Sequence, residues 1–421
     1  MNINEILKGM DCGCGKRHTC PIEAVHIERG AIAHLAQLCA QYNKILLVAD
    51  ENTYAAAGVQ TEAALTAKAV EKVIFSGKTV LIPNEVAIDA VTEKLVGIDL
   101  IVGIGSGVIQ DLCKCVSSRE GVPYMVVATA PSMDGYASDG AAMILGGMKV
   151  TEKAGLPKVI VADTQVLAAA PYEMLQAGYG DILGKYSALN DWKLSRVVND
   201  EYFCDYIYDT TYAQIDAVVF AAKGIAARDE ESVKKLMEAL IIVGIMMRFA
   251  GSSRPASGSE HHLSHYFEIV GIEKNEPYLA HGIDVVYSTV ATAALREKLV
   301  QKAFPNAIYR EAREAYEKKM QEIYGSAAKG CIELQEKVGN YVANRLPIYK
   351  EKEDKIRTVL AEMPKAEKLQ ALLALVGLDM KAFTGLYGEE KIKNAILYAK
   401  ELKDRYTVLW LYYDLFGGED L

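Results

Sequence analysis

Three of the chain's seven histidines lie within five residues of one another, in the stretch SGSEHHLSHYFE at 257–268. The stretch opens with the S-x-x-E pattern of a capping box, so a helix is predicted to begin at about residue 258. On that helix His261 and His265 share one face, whereas His262 lies about 100° around the axis. Imidazoles four residues apart on a helix are a recurring metal-binding arrangement. The stretch therefore predicts a metal site.

Two residues outside this stretch could complete such a site. His281 follows it, and Asp181 comes after a glycine-containing turn in AGYGDILGKYSALNDWKLS. One carboxylate and two imidazoles can hold a divalent cation and leave a position open. A carbonyl oxygen bound at that position would become a better hydride acceptor. Each histidine taken singly could instead cap a helix or lie at the surface.

A glycine-rich loop predicts a nucleotide site. VGIGSGVIQD places Gly103, Gly105 and Gly107 at the end of a predicted strand, directly before a helix. Glycines there let backbone N–H groups approach a pyrophosphate at the helix N-terminus. A dinucleotide fingerprint would carry a further glycine three residues on and would follow the first strand, whereas this loop follows the third predicted one. A tight turn without a ligand is the alternative.

Two further polar segments end predicted strands. Asp50 ends LLVAD and could accept hydrogen bonds from an adenosine ribose, which would disfavour the 2′-phosphate of NADP. The loop TAPSMDGYAS brings together Thr129, Ser132, Asp134 and Ser138. Polar loops at the carboxyl ends of strands bind ligands in open α/β sheets. Together with the glycine loop, these segments favour a nucleotide site.

The first part of the chain alternates apolar strand-like runs with helical stretches, which predicts βαβ units and a doubly wound, mostly parallel sheet. A hairpin is predicted at 143–155, before the last strand. The predicted helices include 28–43 and 86–97. The predicted strands are 44–50, 70–77, 99–107, 123–131 and 158–167.

From about residue 170 onward the strand-like runs disappear. A helical stretch is predicted at 216–251, ending at Gly251, and its apolar run ALIIVGIMM is too short to span a bilayer and predicts a buried helix. YTVLWLYYDLF near the C-terminus predicts a packed terminal helix or a dimer contact. We therefore predict an α/β nucleotide-binding domain over residues 1–168 and an all-α, metal- and substrate-binding domain over 169–421.

Composition narrows the classes of function. A chain of 421 residues suits two domains, and its net charge of −9 argues against a nucleic-acid or anionic-membrane surface. A small anionic substrate would need a local cation. The N-terminus shows no secretory signal, and eight cysteines in this length do not suggest a disulfide framework. We expect a reducing, cytoplasmic setting.

Four potential metal ligands crowd the N-terminal segment CGCGKRHTC, namely Cys12, Cys14, His18 and Cys20. Their spacing, C-x-C-x3-H-x-C, matches no common zinc pattern with two well-separated ligand pairs. Whether these residues form any site is left open by the sequence.

Taken together, GSGVIQD, TAPSMDGYAS, AGYGDILGKYSALNDWKLS, SGSEHHLSH and the later HG resemble the sn-glycerol-1-phosphate dehydrogenases. This family belongs to the superfamily of metal-dependent alcohol dehydrogenases, glycerol dehydrogenase and dehydroquinate synthase, and the likeness covers roughly residues 10–300. It implies a dehydroquinate synthase-like fold and a cytoplasmic homodimer. The implied activity is NAD(P)-dependent interconversion of dihydroxyacetone phosphate, a small phosphorylated substrate, and sn-glycerol 1-phosphate.

The resemblance also implies roles for single residues. Asp181, His261 and His281 look like ligands of zinc, nickel or iron, and Asp134, Asp181 and His265 look like catalytic and substrate-contacting residues. The loop departs from the family's usual GGGTIND form at Ser106, Val108 and Gln110, which leaves the choice between NAD and NADP open. The residues that look like cofactor contacts are Gly105, Ser106, Gly107, Val108, Ile109, Thr129, Ser132 and Ser138.

The mechanistic hypothesis is that a metal-polarised C2 carbonyl of dihydroxyacetone phosphate accepts hydride from nicotinamide. A proton then reaches the oxygen through water or His265. Lys185 and Arg254 lie near the motifs and could bind the phosphate or could simply be surface charges.

Three alternatives remain open from the sequence. The chain could be a glycerol or other polyol dehydrogenase, because no residue proves phosphate recognition. A dehydroquinate-synthase-like lyase would need clustered Lys and Arg, which residues 129–281 do not show convincingly. A non-catalytic nucleotide-binding module would leave the Asp181, His261 and His281 set without a purpose.

Overall fold

The computed structural model describes residues 2–146 and 148–419. Its contacts group the chain into two compact units, Met1–Ile182 with Asp216–Ser252, and Leu183–Ile215 with Ser253–Leu421. Each unit therefore consists of two separate stretches of the chain. The sequence prediction, by contrast, placed a single boundary after residue 168.

The strands are, in chain order, β1 (Met10–Asp11), β2 (Arg17–His18), β3 (Ala24–Glu28), β4 (Lys44–Asp50), β5 (Ala69–Phe75), β6 (Leu100–Gly105), β7 (Tyr124–Ala128), β8 (Gly140–Leu145), β9 (Met148–Lys153) and β10 (Val159–Asp163). Six of them form one parallel sheet in the order β3-β10-β7-β6-β4-β5. Every residue of β6, β7 and β10 is buried, as expected for continuous apolar strands covered on both faces. The predicted doubly wound sheet is confirmed.

Three details of the sheet differ from the prediction. The prediction missed β3, an edge strand whose alternating burial is less conspicuous than the continuous apolar runs of its neighbours. The glycine loop therefore follows the fourth strand of this sheet along the chain, and not the third. The predicted strand 158–167 ends at Asp163, whose side chain accepts a hydrogen bond from the backbone N–H of Gln165 and caps the next helix.

The helices are α1 (Ile3–Ile6), α2 (Leu35–Leu38), α3 (Glu51–Thr53), α4 (Val59–Ala64), α5 (Glu85–Thr92), α6 (Gly107–Glu120), α7 (Thr164–Ala169), α8 (Tyr172–Asn199), α9 (Asp205–Ala226), α10 (Glu230–Ala250), α11 (Ser259–Lys274), α12 (His281–Gln301), α13 (Arg313–Tyr324), α14 (Ala328–Val338), α15 (Leu346–Glu351), α16 (Glu353–Ala361), α17 (Ala366–Ala374), α18 (Met380–Tyr398) and α19 (Val408–Phe416). Single turns of 3₁₀ helix occur at Ala31–His34, Asp134–Ala137, Gly325–Ala327 and Ala399–Leu402, and Tyr54–Gly58 forms a π-helical turn. The predicted helix at 28–43 is reduced to the first of these 3₁₀ turns and α2.

The first unit also contains α10, part of α9 and a β-hairpin. The predicted helical stretch 216–251 is divided where Arg228 adopts a φ of 58°, and Asp229 caps the helix that follows. That helix, α10, buries the whole run ALIIVGIMM and ends at Gly251 with a φ of 71°, as predicted. β8 and β9 pair as the predicted antiparallel hairpin, although Gly147 in its turn lies outside the described residues.

The second unit is helical, which confirms the predicted all-α part of the fold. α19 is buried from Val408 to Leu415. Trp192 of α8 and Trp410 of α19 are among the largest buried side chains of this unit. The predicted packing of the terminal aromatic run is confirmed. Among the described residues, no helix combines the length and apolar character that crossing a membrane requires.

Candidate nucleotide and metal sites

The sheet places the predicted nucleotide-binding segments at one edge. β4 and β6 are neighbours, and the chain leaves them in opposite directions, to β5 beyond β4 and to β7 beyond β6. Ligands of open α/β sheets bind at the carboxyl ends of strands, where the strand order reverses in this way. Asp50 ends β4 and Gly105 ends β6. The two segments therefore flank the position where a nucleotide is expected.

Packing requires two of the glycines in this loop. A Cβ on Gly103 would lie 2.9 Å from the Sγ of Cys113, and a Cβ on Gly105 would lie 2.7 Å from the Cβ of Ile109. Both clashes involve α6, so the glycines allow this helix to pack closely against β6. Ser106 is the N-cap of α6, and its side chain makes no capping hydrogen bond there. The N-terminal N–H groups of such a helix attract phosphate oxygens.

Gln110, one of the positions at which the loop differs from the GGGTIND form, is hydrogen-bonded to the backbone of the loop. Its Nε2 donates to the carbonyl oxygens of Gly103, at 2.9 Å, and Gly105, at 3.2 Å. The side chain is fully buried. Gln110 therefore holds the backbone of the loop from inside the protein, a structural role that the sequence alone did not indicate.

The loop TAPSMDGYAS is tied to the glycine loop and to α6. The backbone N–H of Thr129 donates to the carbonyl oxygen of Gly105 at 3.2 Å. The buried Lys114 of α6 donates to the carbonyl oxygens of Gly135, at 2.9 Å, and Gly140, at 2.8 Å. Ser138 donates from its Oγ to the carbonyl of Gly135 at 3.2 Å. Sequence reasoning missed Lys114, because the two carbonyl oxygens to which it donates are distant in the chain.

α8 brings Asp181 to the same loop. A Cβ on Gly178 would lie 1.8 Å from the carbonyl oxygen of Pro131, so only glycine allows this approach of helix and loop. The backbone N–H of Asp134 donates to Oδ2 of Asp181 at 2.9 Å. The Asp181 side chain is 1% exposed. The backbone of Asp134 is thus adjacent to the carboxylate of Asp181, the other acidic residue predicted to contact substrate.

In the second unit, the three predicted imidazoles form one cluster. The ring centroid of His281 lies 5.1 Å from that of His261 and 5.7 Å from that of His265, and the other pair is 6.2 Å apart. A ring nitrogen of His261 and one of His281 lie within 4.8 Å of each other. His262 is fully buried, and this burial lowers the pKa of His262 well below its ordinary value. The cluster is suited to a cation.

Glu260 orients His261, a role that the sequence did not indicate. Its Oε1 lies 2.7 Å from Nδ1 of His261 and accepts a hydrogen bond from the backbone N–H of Gly258 at 2.8 Å. Burial disfavours the ionised carboxylate, but these hydrogen bonds hold the pKa of Glu260 below its ordinary value. A carboxylate that holds Nδ1–H leaves Nε2 of the imidazole available to a metal.

The predicted capping box is wrong. α11 begins at Ser259 with Gly258 as its N-cap, and no side chain of the N-cap residue accepts a hydrogen bond there. Asp191, from α8, instead accepts the backbone N–H of Ser259 at 2.7 Å. The S-x-x-E pattern predicted the start of the helix to within a residue. However, Glu260 is hydrogen-bonded to His261, and the acceptor for the N–H of Ser259 is Asp191, which is distant in the chain.

Replacing Glu260 by glutamine should weaken metal binding about 10- to 100-fold, since removing an outer partner of a metal-binding histidine typically has that effect. Glutamine keeps the shape of the side chain but removes the charge that favours the bound cation. Metal titration of the purified variant measures the change, with Glu268→Gln in the same helix as the matched control. Unchanged affinity in Glu260→Gln would show that Glu260 only supports the fold.

Asp284 should make stability depend on pH. It is 1% exposed, and its carboxylate accepts hydrogen bonds from the Tyr387 hydroxyl at 2.8 and 2.9 Å. Burial outweighs these bonds and raises the pKa of Asp284 to about 8. The folded protein therefore holds this proton more tightly than the unfolded chain, where the pKa is about 3.9. Its contribution to stability is complete below that value and is lost as pH rises towards 8.

Asp284→Asn removes this titration and should melt increasingly above the parent protein as pH rises from about 5 to about 8. The slope it removes is at most about 1.4 kcal/mol per pH unit. Thermal midpoints across that pH range measure the difference. Parallel curves for the two proteins would show that Asp284 is ionised throughout.

The two candidate phosphate-binding residues differ in their surroundings. The guanidinium of Arg254 donates to Glu201 at 2.6 and 2.8 Å and to the carbonyl oxygen of Tyr406 at 2.6 Å. These contacts give Arg254 a structural role in the second unit. Lys185 is buried and lies one helical turn after Asp181 in α8. It is the better candidate of the two.

The fold matches a known class of enzymes. A model of the iron-containing alcohol dehydrogenases matches residues 26–171. A solved glycerol dehydrogenase from Schizosaccharomyces pombe has a TM-score of 0.56 at 16% identity, covering 84% of this chain and 92% of that chain. The parallel sheet followed by helices is thus the fold of the metal-dependent alcohol dehydrogenases.

Curated relatives define the family more narrowly. A protein from Halalkalibacterium halodurans named glycerol-1-phosphate dehydrogenase (NAD(P)+) is 31% identical over 97% of this chain and 98% of that protein. One of the same name from Methanosarcina barkeri is 35% identical over 51% of this chain and 57% of that protein. The chain belongs to the glycerol-1-phosphate dehydrogenase family.

Proposed function

We propose that the protein transfers hydride between NAD(P)H and dihydroxyacetone phosphate to give sn-glycerol 1-phosphate. The observation that carries this proposal is the full-length similarity to relatives named for that activity. The polar loops at the carboxyl ends of β4, β6 and β7 and the imidazole cluster of α11 and α12 supply the two kinds of binding group that the reaction needs.

We infer that Asp181, His261 and His281, the ligand set that the resemblance implies, hold one divalent cation, with zinc, nickel or iron as candidates. A carboxylate with two imidazoles suits such ions, and Glu260 fixes the tautomer of His261 that binding needs. Asp181 lies within α8, which is continuous from Tyr172 to Asn199. The cation would act as a Lewis acid on the substrate carbonyl.

The chain's own residues orient the substrate and move the proton. His265 is partly exposed beside His281, where it could pass a proton to the substrate oxygen directly or through water. Asp134, whose backbone N–H is hydrogen-bonded to Asp181, would accept a hydrogen bond from a substrate hydroxyl. Lys185 would supply a positive charge for the phosphate.

The cofactor is proposed to bind across the glycine loop. Its pyrophosphate would meet the N–H groups of Gly105 to Ile109 at the start of α6. The Asp50 carboxylate caps α3, accepting the backbone N–H of Thr53 at 2.8 Å. A ribose contact by Asp50 would share that carboxylate, and it would favour NAD over NADP. Thr129, Ser132 and Ser138 complete the proposed contacts.

We propose a reducing compartment such as the cytoplasm as the setting of the protein. Among the described residues none of the eight cysteines forms a disulfide, which suits such a compartment. A homodimer is expected from the resemblance, and size-exclusion chromatography with light scattering would test it.

The proposed function is tested by NADH oxidation with metal-reconstituted protein, comparing dihydroxyacetone phosphate with unphosphorylated dihydroxyacetone. Turnover with the phosphate alone, giving the sn-1 product, is the expected result. A preference for the unphosphorylated ketone would assign the chain to the polyol dehydrogenases. Absence of turnover with both would contradict the proposal and favour a lyase, which consumes no net NADH.

A further inference from the structure

The N-terminal segment folds into a small hairpin. β1 and β2 pair antiparallel, with Met10 opposite His18. In the turn between them, the backbone N–H of Cys12 donates to the carbonyl oxygen of Lys16 at 3.1 Å, and that of Gly15 donates to Cys12 at 3.0 Å. A φ of 84° at Gly15 makes this tight reversal possible. The turn brings the side chains of its two cysteines towards β2.

Three metal-ligand side chains meet at this hairpin. The Sγ atoms of Cys12 and Cys14 and a ring nitrogen of His18 all lie within 4.8 Å of one another. The Sγ of Cys14 lies 3.5 Å from Nε2 of His18. The hairpin therefore gathers three of the four residues that the sequence singled out, without needing the usual spacing of ligand pairs.

His18 is held in the orientation that a metal ligand needs. Its Nδ1 lies 3.2 Å from the carbonyl oxygen of Phe249, and its ring stacks on that of Phe249 with centroids 5.0 Å apart. Because a carbonyl only accepts, Nδ1 carries the proton and the lone pair of Nε2 faces the thiols. A backbone carbonyl is a common outer partner of metal-binding histidines. His18 is 1% exposed, so this orientation is fixed by packing.

We propose that Cys12, Cys14 and His18 hold a structural zinc ion, separate from the cation of the proposed reaction. Two thiolates, which are soft donors, and an imidazole suit zinc in a reducing compartment. The hairpin also needs a further source of stability, since strands of two residues each are marginal by themselves. Zinc binding would supply it, because metal binding is coupled to folding at such sites. Tetrahedral zinc takes a fourth donor, which another thiol of the chain or water can provide.

Cobalt substitution of the full-length protein separates this site from the other. Thiolates bound to Co²⁺ give a charge-transfer absorption in the near ultraviolet, whereas Asp181, His261 and His281 offer no sulfur. We expect this band in the parent protein and its loss in Cys12→Ser and in Cys14→Ser. Cys331→Ala removes a buried thiol far along the chain and should keep the band. No band in the parent protein would overturn the proposal.

Zinc content gives a second measurement that is independent of activity. His261→Ala combined with His281→Ala should retain one zinc per chain, and adding Cys14→Ser should remove it. A serine variant of Cys20 then tests whether this thiol is the fourth donor, since loss of a ligand will weaken the cobalt band. If Cys14→Ser fails to fold, thiol alkylation of the parent protein decides. Zinc-dependent protection of Cys12 and Cys14 supports the site, and a Cys12–Cys14 disulfide in metal-free protein with no zinc uptake overturns it.

Discussion

Replacing His261 by alanine is expected to abolish tight binding of the proposed divalent cation and to lower turnover by about a thousandfold or more. Lewis-acid stabilisation of the developing charge is worth several kcal/mol, and each 1.36 kcal/mol is about a factor of ten in rate. His261 is the imidazole that Glu260 orients, at 2.7 Å from its carboxylate, so its loss also leaves a buried charge without its partner. Steady-state kinetics and metal content of the purified variant measure both effects together.

The controls for this prediction come from the chain's other histidines. His34→Ala removes an imidazole that is partly exposed and paired with Glu28 in the first unit, and it should leave both metal content and rate unchanged. His281→Ala should reproduce the loss seen with His261→Ala. If His261→Ala keeps its metal and its rate, the proposed ligand set is wrong even though the family is correct.

The fold was largely predictable because its signals are local. Continuous apolar runs such as KILLVAD identified the parallel strands, and Gly251 marked the end of α10, since both depend on residues close together in the chain. The strand at Ala24–Glu28 was missed because an edge strand alternates in burial and its five residues are few. The break at Arg228 was missed because a non-glycine residue with positive φ leaves no clear trace in sequence.

Only the candidate metal ligands of the site were predictable from the sequence. The histidines of α11 and Asp181 stood out by residue type and spacing, and in the structure the rings of His261, His265 and His281 lie close together. The residues that hold the surrounding loops in place were not predictable. Lys114 and Gln110 act through backbone carbonyls, which no side-chain pattern records. Recognising them requires knowledge of which segments the fold brings together.

Asp191→Ala is expected to destabilise the second unit by about 3–5 kcal/mol, the usual cost of leaving a buried charge unpaired. Asp191 and Arg296 form an ion pair at 2.7 Å, and their side chains are 0% and 1% exposed. The same carboxylate accepts the backbone N–H groups of Ser259, at 2.7 Å, and Val408, at 2.8 Å. Its removal therefore also leaves these two N–H groups, at the starts of α11 and α19, without their acceptor. The midpoint of thermal unfolding measures the loss.

Two comparisons show whether the unpaired charge or the lost hydrogen bonds at the helix ends account for most of the loss of stability. Asp205→Ala breaks an exposed pair with Arg196, 3.7 Å apart and 82% exposed at the aspartate, and should change the midpoint little. The double variant Asp191→Ala with Arg296→Met should lose less stability than the sum of the single variants, because it removes the unpaired charge as well.

The part of the loss that Arg296→Met cannot rescue belongs to the helix ends. Ser259 begins the helix that carries His261 and His265, so this part should appear as weaker metal binding at temperatures where the variant is still folded. Full recovery of metal affinity in the double variant would show that Asp191 acts only as the partner of Arg296. A persistent loss would show that the aspartate positions α11, and through it the imidazoles.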